Sequence, residues 1–359
     1  MWEAFRCCTK PLMNSITGQS NQLPMSAYLN QIKPWVTVIC ISYNHEDYVE
    51  EALRSVVEQT YPNVELIVID NGSTDGSVGR ITRFVQQHPA TRFLKNSVNL
   101  GLNRGFNQGL ALASGRYVVD LSADDVLLPN RLAQQVDLFE RLAGPYAVVF
   151  SNAAYINERG HQTAIHYPVD SEGRALVKVP TGDVFRHVLD SYFICTPTMM
   201  MRRDVLNELG GYDETLSYED FDFWVRSSRL YYYAYQDEIL TLKRQLPTSL
   251  SAQIAFPDNL LLPSTLAVCH KAFNCCHTPA EFRALARRIR QFIRKAFYAE
   301  QFDLALQFGE LLTNIERPGV LTTVILNLSR LQPPVNRLYR QYLRYKRVHR
   351  PNHHQVKFV

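Results

Sequence analysis

No apolar run in this 359-residue sequence approaches the ~20 residues that a membrane-spanning helix needs. The longest candidate, Val320 to Leu328, is interrupted by Thr322, Thr323 and Asn327. The first residues also lack the apolar core of a signal peptide, because Gly18 to Asn21 and Pro24 break it up, so export by that route is not expected. Cysteine is scarce: there are seven and no C-x-x-C pair, which argues against a disulfide scaffold, a zinc ribbon or a thioredoxin-type site and for reduced thiols. Neither a Walker loop nor a G-x-G-x-x-G fingerprint occurs, so those nucleotide-binding folds lack support. Acids are missing from Arg317 to Val359, where nine Lys or Arg stand. The net charge of +4 therefore hides a mildly acidic body and a strongly basic tail. Such a tail seeks an anionic surface. No recognised nucleic-acid module accompanies it, so no nucleic-acid partner is expected.

What is present is an ordinary globular composition, 46% hydrophobic and 20% charged, which excludes wholesale disorder. Residues 1–34 show no sustained period and read as an extension. From Trp35 the chain alternates. Val36–Ile41, Val64–Ile69, Arg92–Leu94, Tyr117–Leu121 and Tyr146–Phe150 read as strands, most of them short, apolar and rich in β-branched residues. Between them, helices are expected over about 46–59, 78–85, 103–113 and 129–142, each with one apolar face. This alternation predicts a parallel sheet covered by helices on both faces. After Phe150 it weakens, with helices near 182–189 and 219–229 and a closing strand from Tyr231 to Thr241. A break at 247–263 leads into a helical region. There Phe282, Leu285, Ile289, Phe292, Ile293 and Phe297 hold one stripe, and a second helix over 302–312 packs back as a hairpin.

In a parallel sheet, ligands sit beyond the carboxyl ends of the strands. Ser42-Tyr43-Asn44, Asp70-Asn71 and Asp124-Asp125 each fall at such an end, so three unrelated loops converge on one crevice. Adjacent carboxylates repel unless a cation or donors neutralise them, and Asp124-Asp125 suits Mg²⁺ or Mn²⁺; it equally suits a turn before a helix. Asp70 or Asn71 can bond a base or ribose, or simply form a tight turn. Arg104, near a helix start, can face a phosphate or stay solvated. Glu219 and Asp220 open a helix, as caps or as a general base.

Taken in order, these segments resemble the family 2 glycosyltransferases. The residues that carry the resemblance are Val38-Ile-Cys-Ile-Ser-Tyr-Asn44, Ser55 to Pro62, Glu65 to Asp75, Asn99 to Gly109, Gly115-Arg-Tyr117, Ala123-Asp-Asp125 with Pro129, Gly210-Gly-Tyr-Asp213, and Glu219-Asp220 with Trp224. The resemblance implies a GT-A fold, a Rossmann-like mixed α/β sheet flanked by helices, over residues 35–245. Residues 246–359 would form a helical C-terminal region ending in the basic tail. It implies transfer, with inversion, of a sugar from a nucleotide-diphosphate sugar (UDP, GDP or dTDP) to a glycan or lipid-linked acceptor, in cell-surface polysaccharide or glycolipid assembly. Tyr43, Asp70 and Asn71 would hold the nucleoside, and Asp124 and Asp125 the metal, with Asp125 as the direct ligand. Asp220 would be the base and Glu219 the fallback. Two departures stand out: many members have two acids where this chain has Asp70-Asn71, and a third acid where it has Ser122.

A rival from another class is a catalytically silent sugar-nucleotide or glycan-binding module, which would keep the crevice but lose the metal pair or the base. The expected location is the cytoplasm. Six basic residues between Arg337 and Arg350, interleaved with Leu338, Tyr342 and Tyr345, also suit peripheral contact with an anionic membrane.

Overall fold

β1 (Val36–Ser42) is buried along its whole length, as a strand covered on both faces must be. β2 (Val64–Asp70) and β4 (Tyr117–Ser122) pair with it in parallel, one on each side, and β3 (Arg92–Lys95) extends the sheet beyond β2. The computed structural model describes residues 33–247, 249 and 254–349. The expected N-terminal extension, but for its last two residues, and Arg350 of the tail lie outside the described residues.

Parallel neighbours require crossovers. These are α1 (Val49–Val57), α2 (Ser77–Gln87) and α3 (Leu102–Leu112). Each buries the stripe its sequence carries: Val49, Leu53 and Val56 on α1, Ile81 and Phe84 on α2, Phe106 and Leu110 on α3. A fully buried side chain of this size contributes ~1.5–3 kcal/mol over an exposed one. α3 approaches the sheet closely enough that a Cβ at Gly109 would lie 2.5 Å from Ile39 Cγ2.

Beyond β4 the sheet is mixed. Along the chain come β5 (Val126–Leu127), α4 (Arg131–Arg141), β6 (Tyr146–Ile156), β7 (Gln162–Ile165), α5 (Phe185–Asp190), β8 (Met200–Arg202), α6 (Arg203–Glu208), α7 (Asp220–Ser228) and β9 (Tyr232–Arg244). The strand order is β3-β2-β1-β4-β8-β6-β9-β5, with β7 beside β6. β8 runs antiparallel to both β4 and β6, while β6 and β9 are parallel. The purely parallel sheet read from alternation therefore holds only for β1 to β4. A three-residue strand carries too few positions to show a period, so β8 escaped the reading. β9 outruns its expected end by Leu242-Lys243-Arg244, whose charges disguise a strand.

The C-terminal region is helical: α8 (Leu261–Cys275), α9 (Pro279–Tyr298), α10 (Phe302–Thr313), α11 (Val320–Leu331) and α12 (Asn336–His349). Thr278 and Glu281 form a reciprocal capping box that starts α9. The stripe expected on α9 is buried but for half-buried Phe282, and α10 packs back against it. α9 also lies on α5, and α8 on α7. One apolar core thus runs through residue 246, and the described residues from Pro34 onward form a single unit. Among the described residues, no helix is long and apolar enough to cross a membrane.

Candidate active site

The ends of β1 and β2 are laced together by side chain to backbone bonds. Asn44 sits in the left-handed region, φ +56°, and its Oδ1 accepts from Thr74 N at 2.8 Å. Asn44 N donates to Ser73 Oγ at 3.0 Å. Asp70 is wholly buried, and its Oδ1 accepts from Ser73 N at 3.0 Å. Its Oδ2 is buried without a partner among the described residues, as is Ser42 Oγ. Gly72 is required twice over, since its φ is +79° and a Cβ would fall 2.4 Å from the Val98 carbonyl carbon. Tyr43, 41% exposed, stands at the rim.

Asn71 takes a different part from the one expected. Its Nδ2 donates to Asn99 Oδ1 at 3.0 Å and Gly101 O at 3.1 Å. Its Oδ1 accepts from Asn96 Nδ2 at 3.2 Å and Leu100 N at 3.1 Å. All four bonding positions of the amide are used, so this side chain braces the loop before α3 and leaves nothing for a nucleoside. Arg104 has an acid beside it: the turn after Gly210-Gly211 brings Glu214 next to α3, and Arg104 Nε meets Glu214 Oε2 at 3.0 Å.

Asp124 and Asp125 occupy the turn between β4 and β5. Asp125 is 4% exposed, and its Oδ1 accepts from Arg244 N at 2.8 Å. The carboxylate of Asp124 is half-buried and, among the described residues, has neither a hydrogen bond nor an ion pair. Arg244 fastens this turn. Its guanidinium donates to Asp124 O at 3.0 Å, Asn157 O at 3.0 Å and Glu51 Oε2 at 2.6 Å, and lies 4.6 Å from the Tyr48 ring. Burial, and then the Asp124 charge, push the Asp125 carboxyl up to about 8, against the pull of Lys243 and Arg131.

Across the sheet end, Glu219 precedes α7 and Asp220 opens it. Asp220 is half-buried; its Oδ2 accepts from Thr196 Oγ1 at 3.1 Å and its Oδ1 from Phe221 N at 2.6 Å. Burial raises its pKa, and these two bonds with Lys243 and Arg288 oppose the rise. Glu219 is more deeply placed, and burial, then Asp220 and Asp120, hold it well above the usual carboxylate range.

Two members of this group escaped the sequence reading. Asp120, on β4, accepts from Tyr212 Oη at 3.2 Å and is pushed up to about 7 by burial. Lys243, on β9, loses to burial but is raised overall by Cys195, Asp125, Tyr155 and Asp220. The Cys195 thiol, pushed up to about 11, and the Tyr155 phenol, raised by burial, are neutral at pH 7, and the two carboxyls are themselves raised, so Lys243 is a group that holds their pKa values down. The signal for Asp120 was present in the sequence, as a lone acid inside an otherwise apolar strand; Lys243 carried none, because β9 also holds Asp237, Glu238 and Arg244.

Among the described residues, no three His, Cys, Asp or Glu side chains converge into a metal site. That suits Mg²⁺ or Mn²⁺, which usually take one or two carboxylates and leave the remaining positions to water and substrate phosphates. The unpaired Asp124 carboxylate, beside a buried and repelled neighbour, is the group such an ion would relieve. The residues present fit the ion.

Residues 37–210 match the profile of Glycosyl transferase family 2. A putative glycosyltransferase, EpsE, of Bacillus subtilis is 33% identical over 54% of this chain and 66% of its own length. An uncharacterized glycosyltransferase of Haemophilus influenzae is 30% identical over 55% of this chain and 61% of its own. This chain thus spans a little under two thirds of the length of these relatives. Among solved structures, Staphylococcus aureus TarS 1–349 in complex with UDP superposes with a TM-score of 0.57 at 18% identity, covering 86% of this chain and 92% of that one. A mannosyltransferase from Pyrobaculum calidifontis, in complex with GDP-Man and Mn²⁺, gives 0.53 at 17%, covering 88% and 85%. These likenesses fix the fold as GT-A, the mixed sheet flanked by helices described above. Its sequence profile and its relatives agree, and the chain belongs to glycosyl transferase family 2.

Proposed function

We propose that this protein is an inverting glycosyltransferase that moves a sugar from a nucleotide-diphosphate sugar to the hydroxyl of a glycan or lipid-linked acceptor, in the cytoplasm, for cell-surface polysaccharide or glycolipid assembly. The observation that carries the reading is the pairing, at one end of the sheet, of an unpartnered Asp124 with a half-buried, doubly hydrogen-bonded Asp220. Relatives add to it: TarS is seen with UDP and with UDP-GlcNAc, and the Pyrobaculum enzyme with GDP-Man and Mn²⁺.

In this reading Asp70 and Tyr43 receive the nucleoside, and the orphaned Asp70 Oδ2 gains the donor it lacks. A bound Mn²⁺ or Mg²⁺ would neutralise charge on the diphosphate. Asp124 replaces Asp125 as the direct ligand, because Asp125 is buried and already bonded to Arg244 N. Lys243, whose charge is felt by Asp125 and Asp220, is a fixed cation near the growing negative charge of the leaving group. Asp220 takes the acceptor proton; the acceptor oxygen bonds to the anomeric carbon as the bond to the diphosphate breaks on the opposite face. Thr196 and the Phe221 N–H favour the charged form of Asp220, which a base must be in, whereas Glu219 is buried too deeply to meet an acceptor.

The test is a panel of UDP, GDP and dTDP sugars scored for donor hydrolysis with Mn²⁺, with Mg²⁺ and with EDTA. One nucleotide should be turned over, only with metal, and Asp124→Asn should remove more of the metal-dependent affinity than Asp125→Asn. Equal affinity in EDTA and in Mn²⁺ would sink the metal assignment. Tight binding of a donor with no hydrolysis or transfer would point instead to a silent binding module.

A further inference from the structure

α11 is built inside out. It buries Thr322, Ile325 and Ser329, while Val320, Leu321, Val324, Leu328 and Leu331 are 85, 64, 48, 38 and 76% exposed. Leu321, Val324, Leu328 and Leu331 follow one another at three- or four-residue steps and make a single stripe. The opposite face packs on α9 and α10, so the stripe points away from the core. Contiguous exposed apolar surface of this kind marks an interaction site.

α12 continues the pattern. Asn336 anchors it to the end of α9, donating from Nδ2 to Tyr298 O at 2.8 Å, and Tyr339 stacks on Tyr298 at 4.4 Å. That leaves Leu338 and Tyr342 exposed by 69 and 57%, with Arg337 and Arg344 exposed beside them and Arg330 near the end of α11. From Arg317 onward the sequence holds no acid. A partner for this face must therefore offer apolar depth and negative charge together. A second copy would bring arginines against arginines. An anionic lipid leaflet offers both, and it suits Tyr and Arg side chains, which bury an apolar stem and keep a polar end in water.

We propose that α11 and α12 together form a face that lies in the plane of an anionic membrane, with the α11 stripe in the acyl boundary and Arg330, Arg337 and Arg344 at the headgroups. The sequence reading assigned membrane contact to the tail alone; the exposed stripe of α11 is what the structure adds. Binding does not depend on sugar transfer, so failure here would leave the proposed activity untouched.

The experiment is co-sedimentation of the full chain with vesicles of equal parts phosphatidylglycerol and phosphatidylcholine, against phosphatidylcholine alone, at low and high salt. The full chain should bind the anionic vesicles and release in salt. Arg337→Gln/Arg344→Gln should weaken binding by ~5-fold per charge. Leu321→Gln/Leu328→Gln should weaken it about tenfold or more, with an unchanged unfolding midpoint because both leucines are exposed. Binding indifferent to lipid charge, binding unaltered in either variant, or a dimer in solution that Leu321→Gln/Leu328→Gln dissolves would overturn the proposal.

Discussion

The two sides of the crevice are held by opposite means. On the side of β1, β2 and α3, the polar groups are mostly matched: Asn71 uses its whole amide, Asn44 and Ser73 tie two loops, and Asn103 and Asn107 of α3 donate to the backbone of the 212–216 turn. On the side of β4, α7 and β9, acids crowd: Asp120, Asp125, Glu219 and Asp220 are all raised, and half-buried Lys243 is the cation near them. The first side is a hydrogen-bonded scaffold that leaves Asp70 Oδ2 and Ser42 Oγ open to a ligand. The second is out of electrostatic balance and gains most from a bound cation and an acceptor proton. Stability and chemistry should therefore separate between the two sides under mutation.

The largest effect should come from the crowded side. Asp220→Asn should reduce kcat by ~10²–10⁴ with donor affinity little changed, read as steady-state turnover beside donor binding. If Glu219→Gln is crippled and Asp220→Asn is near normal, the base is the other carboxylate.

Asn71→Ala probes the matched side. It removes four hydrogen bonds, each worth a net ~0.5–1.5 kcal/mol, so stability in urea denaturation should fall by about 2–6 kcal/mol. A loss of turnover with no loss of stability would mean that Asn71 serves the ligand after all.

His166 sharpens the contrast by showing a neutral group that folding protects. Its Nε2 meets Phe193 O at 2.8 Å and its Nδ1 meets Tyr155 Oη at 2.8 Å. Nε2 must donate to the carbonyl, which leaves Nδ1 to accept from the phenol in the neutral ring. Burial lowers its pKa from 6.5 to about 4. The unfolded chain takes up this proton first, so up to ~3 kcal/mol of stability is lost as pH falls from 6.5 to about 4. Denaturation at pH 7.5 and 4.5 should show a larger loss in the native protein than in His166→Gln, which keeps a donor and an acceptor there. Equal losses would remove His166 as the cause.

Arg104→Ala should do least. Its ion pair with Glu214 is exposed on both sides, and such pairs contribute less than ~1 kcal/mol. Donor affinity should not move; a large loss would return Arg104 to the phosphate and blur the division between the two sides.

Much of this was legible in the chain order of residues. The runs Val36–Ile41 and Val64–Ile69 admit little but buried strands, α9 follows from its stripe, and the loops at 42–44, 70–73 and 124–125 fall at strand ends by alternation alone. Local chemistry decides these, because period and turn residues act over a few positions. The roles of individual side chains were decided elsewhere. Whether Asn71 faces a ligand or the 96–101 loop, whether Arg104 meets a phosphate or Glu214, and whether Asp125 or Asp124 stays accessible all depend on residues far away in the chain. Lys243 feels the charge of both Asp125 and Asp220 because β9 lies in the sheet beside β5. α11 shows its leucines to solvent because its other face met α9 and α10 first. Periodicity tells that a helix has an apolar side; only tertiary packing chooses which side the core will cover.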